Sequence, residues 1–272
     1  MTPKFFEECV FFSTARITSG QPSGGSSIGT GFLCRADLGG DAGHVILLVS
    51  NKHVFQNPLG SLQFSFAKRD ADGGAAIGES HSWSLPSFHS NYFAHPNPAV
   101  DLACINVSTY VHGGLGLFVQ TIPIDMLSDF AEDSLLPGNE VWFVGYPDNR
   151  FDTKHNLPLL RRGYCASMPR IDFNGHPQFV IDAQVYPGSS GSPVFMLFGN
   201  QFKLVGVIAQ TMVKHGQLTS IPAGHTVVGV QQVIGLGLVI KATALKVLLG
   251  LVTERIRTLR LAQNITHLLP GI

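Results

Sequence analysis

Hydrophobic and polar residues alternate in short runs over most of the chain, and Gly, Pro, Asn and Asp separate the runs. Two of these runs, His44–Ser50 and Glu140–Gly145, are rich in the β-branched and aromatic residues that favour strands. Many short strands with frequent turn residues between them are typical of an all-β sandwich or barrel. The other predicted strands are residues 9–17, 29–35, 62–67, 102–107, 163–168, 178–183, 194–198, 204–210 and 227–240.

Beyond residue 240 the hydrophobic pattern changes to a helical period. Apolar residues recur every three or four positions, and charged residues such as Lys246 and Glu254 lie between them. This pattern predicts one amphipathic helix that packs on the β-rich body. We interpret the arginines of this segment as a solvated helix face rather than a partner-binding stripe. The apolar positions are Leu245, Leu248, Leu249, Val252, Ile256 and Leu259.

A glycine-rich stretch divides the predicted strands into two groups. Gly113-Gly114-Leu115-Gly116, followed by Ile122-Pro123, is a candidate connection between two β-lobes. We therefore assign residues 1–115 to a first lobe, 116–241 to a second lobe, and 242–272 to a C-terminal helix and tail, all within one domain. A chain of 272 residues is long enough to bury a full core in this arrangement.

Composition and charge exclude several classes of function. Hydrophobic residues make up 44% of the chain and charged residues 13%, which is typical of a folded globular protein. The formal net charge is zero, so we expect no nucleic-acid partner. The most apolar stretch, residues 227–252, is interrupted by Gln231, Gln232, Lys241 and Lys246, so we expect no membrane span.

The cysteines and the amino terminus bear on the cellular compartment. Cys9, Cys34, Cys104 and Cys165 are far apart and lie among apolar neighbours, as expected for buried thiols in a reducing compartment. The first residues do not form a basic segment followed by an apolar run, so we expect no secretory signal and a cytoplasmic location. The histidines and cysteines show no paired metal-ligand spacing, and we expect neither a metal nor a cofactor.

The strongest chemical signal is the turn Tyr186-Pro187-Gly188-Ser189-Ser190-Gly191-Ser192-Pro193-Val194. It places a hydroxyl between glycines, directly before an apolar strand. A nucleophile for acyl transfer needs this geometry, because it must project while backbone N–H groups converge on the developing oxyanion. By itself, however, a Gly/Ser turn is usually only a turn.

Two further residues change the interpretation of this turn. His53 follows an apolar strand and Asp101 opens another, and either residue alone would be read as structural. A serine hydroxyl needs an adjacent base, which His53 supplies if the fold brings the two together. The chain order His, Asp, Ser is that of chymotrypsin and differs from the order in subtilisin and the α/β-hydrolases.

Four segments resemble, in order, the signature segments of trypsin-like serine peptidases. They are Gly29-Thr30-Gly31-Phe32-Leu33, Ser50-Asn51-Lys52-His53-Val54, Asp101-Leu102-Ala103 and Gly188-Ser189-Ser190-Gly191-Ser192-Pro193. The form without disulfides is more similar to bacterial HtrA-type protease domains than to secreted digestive enzymes. The resemblance implies an all-β fold of two packed six-stranded antiparallel barrels, with the C-terminal helix added. It also implies a serine endopeptidase with a protein or peptide substrate.

The resemblance also implies a role for each site residue. His53 is the general base and then the acid, Asp101 orients its imidazole, and Ser190 forms the acyl-enzyme. The backbone N–H groups of Gly188 and Ser190 form the oxyanion hole. Ser189 occupies the position at which digestive relatives carry an aspartate that pairs with a new amino terminus. We therefore expect the chain to need no activating cleavage.

The same resemblance also implies a substrate preference. The floor of the primary pocket falls at Gln184 and its wall at Ala209, Gln210 and Thr211. Because no acidic residue occupies the floor, we expect a neutral or modestly apolar residue at the cleaved position rather than Lys or Arg.

Three alternatives remain open from the sequence. The fold can serve as a catalytically silent binding module, or the same triad can act as an esterase. Arg161 and Arg162 either contact substrate or a regulatory partner protein, or simply border the strand that leads to Cys165, which is the interpretation we favour.

Overall fold

Two β-lobes carry most of the chain in the computed structural model, which describes residues 1–22, 24–40, 43–219 and 227–268. The last residues of the predicted tail, 269–272, lie outside the described residues. So does Ser23, in the connection between the first two strands. No helix in the described part of the chain is long and apolar enough to span a membrane.

The first lobe begins with a helix and continues as one nine-stranded sheet. Seven strands follow each other in the order β5-β4-β1-β2-β3-β7-β6, while β8 pairs with β4 and β9 pairs with β2. Three helices accompany the sheet: α1 (Phe6–Ser13), α2 (Lys52–Phe55) and α3 (Ser108–His112). The strands are β1 (Thr14–Gly20), β2 (Ser26–Asp37), β3 (His44–Ser50), β4 (Leu62–Arg69), β5 (Ala75–Leu85), β6 (Tyr92–Ala94), β7 (Ala103–Asn106), β8 (Leu117–Phe118) and β9 (Ile122–Pro123).

The second lobe is a closed six-stranded antiparallel barrel with the order β10-β11-β12-β15-β14-β13. Its strands are β10 (Glu140–Gly145), β11 (Leu159–Cys165), β12 (Gln178–Asp182), β13 (Pro193–Phe198), β14 (Gln201–Thr219) and β15 (Val227–Lys241). Single turns of 3-10 helix lie at His89–Asn91, Ile124–Met126, Pro147–Asn149 and Phe173–Gly175. The chain then continues directly from β15 into α4 (Ala242–Leu268).

The predicted all-β, chymotrypsin-like architecture with a C-terminal helix is confirmed, with one difference in the first lobe. That lobe is a nine-stranded sheet rather than a six-stranded barrel, and β9 joins β2 in parallel. Leu117, Phe118 and Ile122 in the connection between the lobes are buried, so these short segments pair with the first sheet instead of crossing to the second lobe. The first sheet therefore extends past residue 115, at which the sequence prediction ended the first lobe.

The amino-terminal segment also differs from the prediction of a strand over residues 9–17. The chain is helical up to Ser13 and becomes extended only at Thr14. The Glu8 carboxylate accepts the Lys4 N–H at 2.7 Å, which satisfies a backbone donor at the start of the helix. At the other end, the hydroxyls of Ser13 and Thr14 donate to Val10 O at 3.1 and 2.8 Å. These local bonds hold the β-branched and aromatic residues of this segment in a helix.

Helix α4 closes the core over both lobes. Leu245, Leu248, Leu249, Val252 and Ile256 are buried, as the period predicted, in one cluster with residues of both lobes. Burial of a leucine side chain contributes roughly 1.5–3 kcal/mol, so this face fixes the helix to the body. Leu259, the last position of the predicted stripe, is exposed.

The two lysines that argued against a membrane span are paired with acidic side chains. Lys241 is buried and its Nζ lies 2.6 Å from Asp172 Oδ1. Lys246 pairs with Asp129. All four cysteines are free thiols, of which Cys9 is half-buried and the other three are buried.

Candidate active site

His53 and Asp101 meet at the edge of the first lobe. His53 Nδ1 lies 2.5 Å from Asp101 Oδ2, and the backbone N–H of His53 donates to Asp101 Oδ1 at 3.1 Å. The carboxylate therefore holds both the imidazole and the backbone that carries it. Because Oδ2 accepts from Nδ1–H, the other ring nitrogen, Nε2, is left as a proton acceptor. The two side chains remain 49% and 34% exposed, which leaves them accessible to a substrate.

The chain brings these two residues together by linking the end of β3 to the loop before β7. Asn51, directly after β3, is fully buried, and its Nδ2 donates to the backbone oxygen of Asp101 at 2.8 Å. The neighbouring Lys52 reaches the same loop and donates from Nζ to Asn97 O at 3.1 Å. Burial lowers the pKa of Lys52, and the nearby Asp101 carboxylate partly opposes this shift. Asn51 and Lys52 lie within a signature segment of the sequence, but the sequence alone predicts no role for either residue.

The pKa of Tyr92, on β6, is affected by the charge of Asp101 in the same loop. Burial raises the pKa of Tyr92 to about 12, and the negative charge of Asp101 adds to the shift. Asp101 therefore sits beside a phenol that stays protonated across the physiological range.

Ser190 lies in the turn between β12 and β13, in the second lobe, and contacts the first lobe through its backbone. The Thr30 N–H donates to Ser190 O at 2.9 Å, and Thr30 O accepts the hydroxyl of Ser50 at 2.6 Å. Ser50 is the last residue of β3, directly before the segment that carries His53. One short chain of hydrogen bonds thus joins the Ser190 turn (residues 186–192) to the segment that carries His53.

The hydroxyl of Ser190 donates to Ala209 O at 3.2 Å. Within the described residues it forms no hydrogen bond with His53. A hydroxyl has one proton to donate, so bonding to His53 requires Ser190 to release Ala209. Catalytic hydrogen bonds are often long or unformed before substrate binds. Of the three residues predicted from the sequence, His53 and Asp101 are joined directly in the structure. Ser190 lies across the boundary between the lobes, and its hydroxyl bonds to Ala209 O instead.

Two glycines make the Ser190 turn possible. Gly188 and Gly191 both have φ of +86°, a left-handed conformation that glycine adopts without strain. A Cβ on Gly191 would lie 1.9 Å from Thr30 O, and one on Gly188 would lie 2.5 Å from Tyr146 O. These close backbone approaches hold the turn against both lobes.

The backbone N–H groups predicted for the oxyanion hole are those of Gly188 and Ser190. In the part of the chain that the structure describes, neither group donates to a protein acceptor, whereas the Ser189 N–H between them donates to Tyr186 O at 3.0 Å. Thr30 Oγ1 donates to Gly188 O at 2.9 Å and accepts the Tyr146 N–H at 3.1 Å. This bridging role of Thr30 is not predictable from the sequence, since a lone threonine beside a glycine carries no local signal for a contact with the other lobe.

The residues predicted for the primary pocket lie on two segments of the second lobe, the loop after β12 and strand β14. Gln184 is exposed, and its Oε1 accepts the Tyr186 hydroxyl at 2.7 Å. Ala209 is buried and contacts Ser190, as described above. Gln210 and Thr211 line a cavity of about 380 Å³ with Phe173 and Leu238 among its walls, and neither Gln184 nor Ala209 borders it.

Ser189 and the two arginines of β11 were also singled out by sequence. Ser189 is buried, and its hydroxyl has no hydrogen-bond partner in the described part of the chain. The Arg161 guanidinium lies 5.0 and 5.3 Å from the ring centroids of Phe143 and Tyr186. Arg162 stacks over Trp142 at 3.9 Å and pairs with Glu140 at 3.4 Å. Both arginines thus pack on aromatic side chains of strand β10, and Arg161 also packs on Tyr186 in the Ser190 turn.

Among the described residues, no group of three or more His, Cys, Asp or Glu side chains is arranged to hold a metal ion.

Comparison with known proteins relates this chain to one peptidase family. The model of the trypsin-like peptidase domain matches residues 29–207, which include His53, Asp101 and Ser190. No curated protein matches the chain.

Three solved structures are similar at low sequence identity. Deg5 is 18% identical, with 75% of this chain and 81% of that chain covered and a TM-score of 0.49. The HtrA-type protease AlgW with tripeptide is 16% identical, with 86% of this chain and 58% of that chain covered and a TM-score of 0.49. The thermostable serine protease AL20 from an extremophilic microorganism is 14% identical, with 88% and 97% covered and a TM-score of 0.48. Since the family model matches more than half of the sequence, this chain belongs to the trypsin-like peptidase domain family.

Proposed function

We propose that the protein is a serine endopeptidase that hydrolyses peptide bonds through His53, Asp101 and Ser190. The observation that carries the proposal is the two-point contact between Asp101 and His53, at 2.5 Å to Nδ1 and 3.1 Å to the backbone N–H. This contact fixes both the direction of the ring and the nitrogen that bears the proton. A histidine held in this way is suited to act as a general base through Nε2.

The proposed reaction runs in two steps. His53 Nε2 takes the proton of the Ser190 hydroxyl while Oγ attacks the scissile carbonyl, and the same proton then passes to the leaving amine. Water, deprotonated by His53, hydrolyses the resulting acyl-enzyme and restores the serine. The negative charge on the carbonyl oxygen in each step is stabilised by the N–H groups of Gly188 and Ser190, which have no acceptor among the described residues.

The proposal extends to regulation and location. Ser189 has no carboxylate to form the ion pair that activates digestive relatives, so the uncut chain is proposed to be active. The four free thiols support a reducing, cytoplasmic location. A neutral or modestly apolar residue is proposed at the cleaved position, since Gln184 carries no charge.

The test is covalent labelling of the uncut protein by a fluorophosphonate, followed by a panel of peptide amides and esters. We expect one adduct, on Ser190, and turnover of amides. Ser190→Ala should fold normally, take up no probe, and lose about four orders of magnitude in kcat. The matched control is Ser189→Ala, which removes the adjacent hydroxyl that has no partner and should leave labelling intact.

Each of the other outcomes contradicts part of the proposal. An unlabelled wild-type protein supports the silent binding module, and turnover of esters without amides supports the esterase. Labelling that appears only after proteolytic clipping contradicts an active uncut chain.

A further inference from the structure

A turn at the start of the second lobe fixes the orientation of one proposed oxyanion donor. The backbone N–H of Asp148 donates to Pro187 O at 2.6 Å. In a trans peptide the C=O and the following N–H point in opposite directions. The bond to Asp148 therefore turns the Gly188 N–H away from residue 148 and leaves it free to meet a substrate oxygen.

The turn that supplies this N–H is held in an uncommon backbone conformation. Asp148 and Asn149 are consecutive non-glycine residues with φ of 48° and 55°. Left-handed conformations of this kind cost about 1–3 kcal/mol each and persist only where surrounding contacts fix them. The position of the Asp148 N–H thus depends on the contacts that hold the turn.

Arg16, on strand β1 of the other lobe, provides such contacts at two points. Its Nε donates to Asn149 Oδ1 at 2.6 Å, and its guanidinium lies 5.5 Å from the centroid of the Phe151 ring. The Phe151 ring in turn packs edge-on against the buried ring of Tyr146 at 5.5 Å. The bond to Asn149 is thus a side-chain hydrogen bond between the first lobe and this turn.

We propose that Arg16 is a positioning residue that holds the 146–151 turn and, through the Asp148 N–H, orients the Gly188 oxyanion donor. This inference rests on the proposed peptidase function and deepens it. Arg16 also lines a cavity of about 250 Å³ together with Thr18, Trp83 and Asn156. A direct contact with substrate would weaken binding, whereas a positioning role should slow the chemical step, so the two roles are separable by experiment.

The experiment compares Arg16→Ala, Arg16→Gln and Asn149→Ala with the wild type. Complete loss of one oxyanion donor costs 10²–10³ in kcat, so loosening it should lower kcat about 10- to 100-fold. KM should stay within about twofold, because an interaction made only in the transition state affects kcat. The inhibition constant of a peptidyl aldehyde, whose hemiacetal oxygen occupies the oxyanion site, should rise by the same factor as kcat falls.

Two further comparisons sharpen the result. Arg16→Ala combined with Asn149→Ala should be no slower than either change alone, because both break the same link. Arg16→Gln, whose amide can still donate to Asn149, should recover part of the loss. The matched control is Arg35→Ala on β2, whose guanidinium lies 3.9 Å from the exposed Asp37, and its kinetics should equal those of the wild type.

The failures of this inference and of the proposed function are distinguishable. If the wild type neither labels nor turns over substrate, the peptidase proposal fails. If the wild type is active and Arg16→Ala matches it, or raises KM alone, only the positioning role fails. Should Arg16→Ala not fold, unchanged kcat and aldehyde inhibition in Asn149→Ala would overturn the positioning role.

Discussion

Thr30 is the most direct link between the two lobes at the candidate site, and replacing it with valine tests that link. The side chain is fully buried, and its Oγ1 donates to Gly188 O at 2.9 Å and accepts the Tyr146 N–H at 3.1 Å. Valine has nearly the same shape but lacks the hydroxyl. Thr30→Val therefore removes the partner of the half-buried Gly188 carbonyl and of the buried Tyr146 N–H.

The size of the effect follows from these two groups. A buried polar group that loses its partner costs about 1–3 kcal/mol. Water can reach the half-buried Gly188 carbonyl, so that group should cost about 1 kcal/mol, and the two losses together should lower the free energy of unfolding by about 2–4 kcal/mol. The matched variant Thr30→Ser keeps the hydroxyl and loses one methyl group, which should cost about 1 kcal/mol. The difference between the two variants thus isolates the hydrogen bonds from the packing.

The assay is urea denaturation followed by the fluorescence of Trp83 and Trp142, one in each lobe, together with the rate of fluorophosphonate labelling. We expect Thr30→Val to unfold at clearly lower urea concentration than Thr30→Ser. It should also label about tenfold more slowly, since Gly188 O is no longer held. If the two variants agree within about 0.5 kcal/mol and label at equal rates, the Thr30 hydroxyl does not link the lobes as the distances indicate.

Two other predictions follow from the same structure. Asp101→Asn should reduce kcat by about 10⁴ with little change in the free energy of unfolding, because the His53 ring loses the carboxylate that fixes which nitrogen bears the proton. A loss in kcat below tenfold would contradict the role assigned to Asp101. Burial raises the pKa of the Cys34 and Cys104 thiols, and it raises the pKa of Cys165 to about 11. A disulfide reagent at pH 8 should therefore leave these three unmodified in the native protein and react with them in urea, with the half-buried Cys9 modified first, as mass spectrometry can show.

The sequence by itself determined the kind of fold and the candidate triad. The short apolar runs His44–Ser50 and Glu140–Gly145 became strands with the predicted bounds, because they are too short for a typical helix and are rich in β-branched and aromatic residues. The period of α4 identified Leu245 to Ile256 as its buried face. The order of His53, Asp101 and Ser190 pointed to one family, and the family model includes all three residues.

Only the tertiary structure decided how these parts fit together. The segment before Thr14 has strand-like composition, yet local hydrogen bonds and packing against the body made it a helix. Gln184 and Gln210, predicted to share a pocket, lie on the loop after β12 and on strand β14, and only the closure of the barrel decides how far apart they are. Thr30, Asn51 and Arg16 act on residues that are remote in the chain. No local pattern encodes such contacts. The contacts of Thr30 and Arg16 form only when the two lobes pack against each other, and the contact of Asn51 forms only when the first sheet folds.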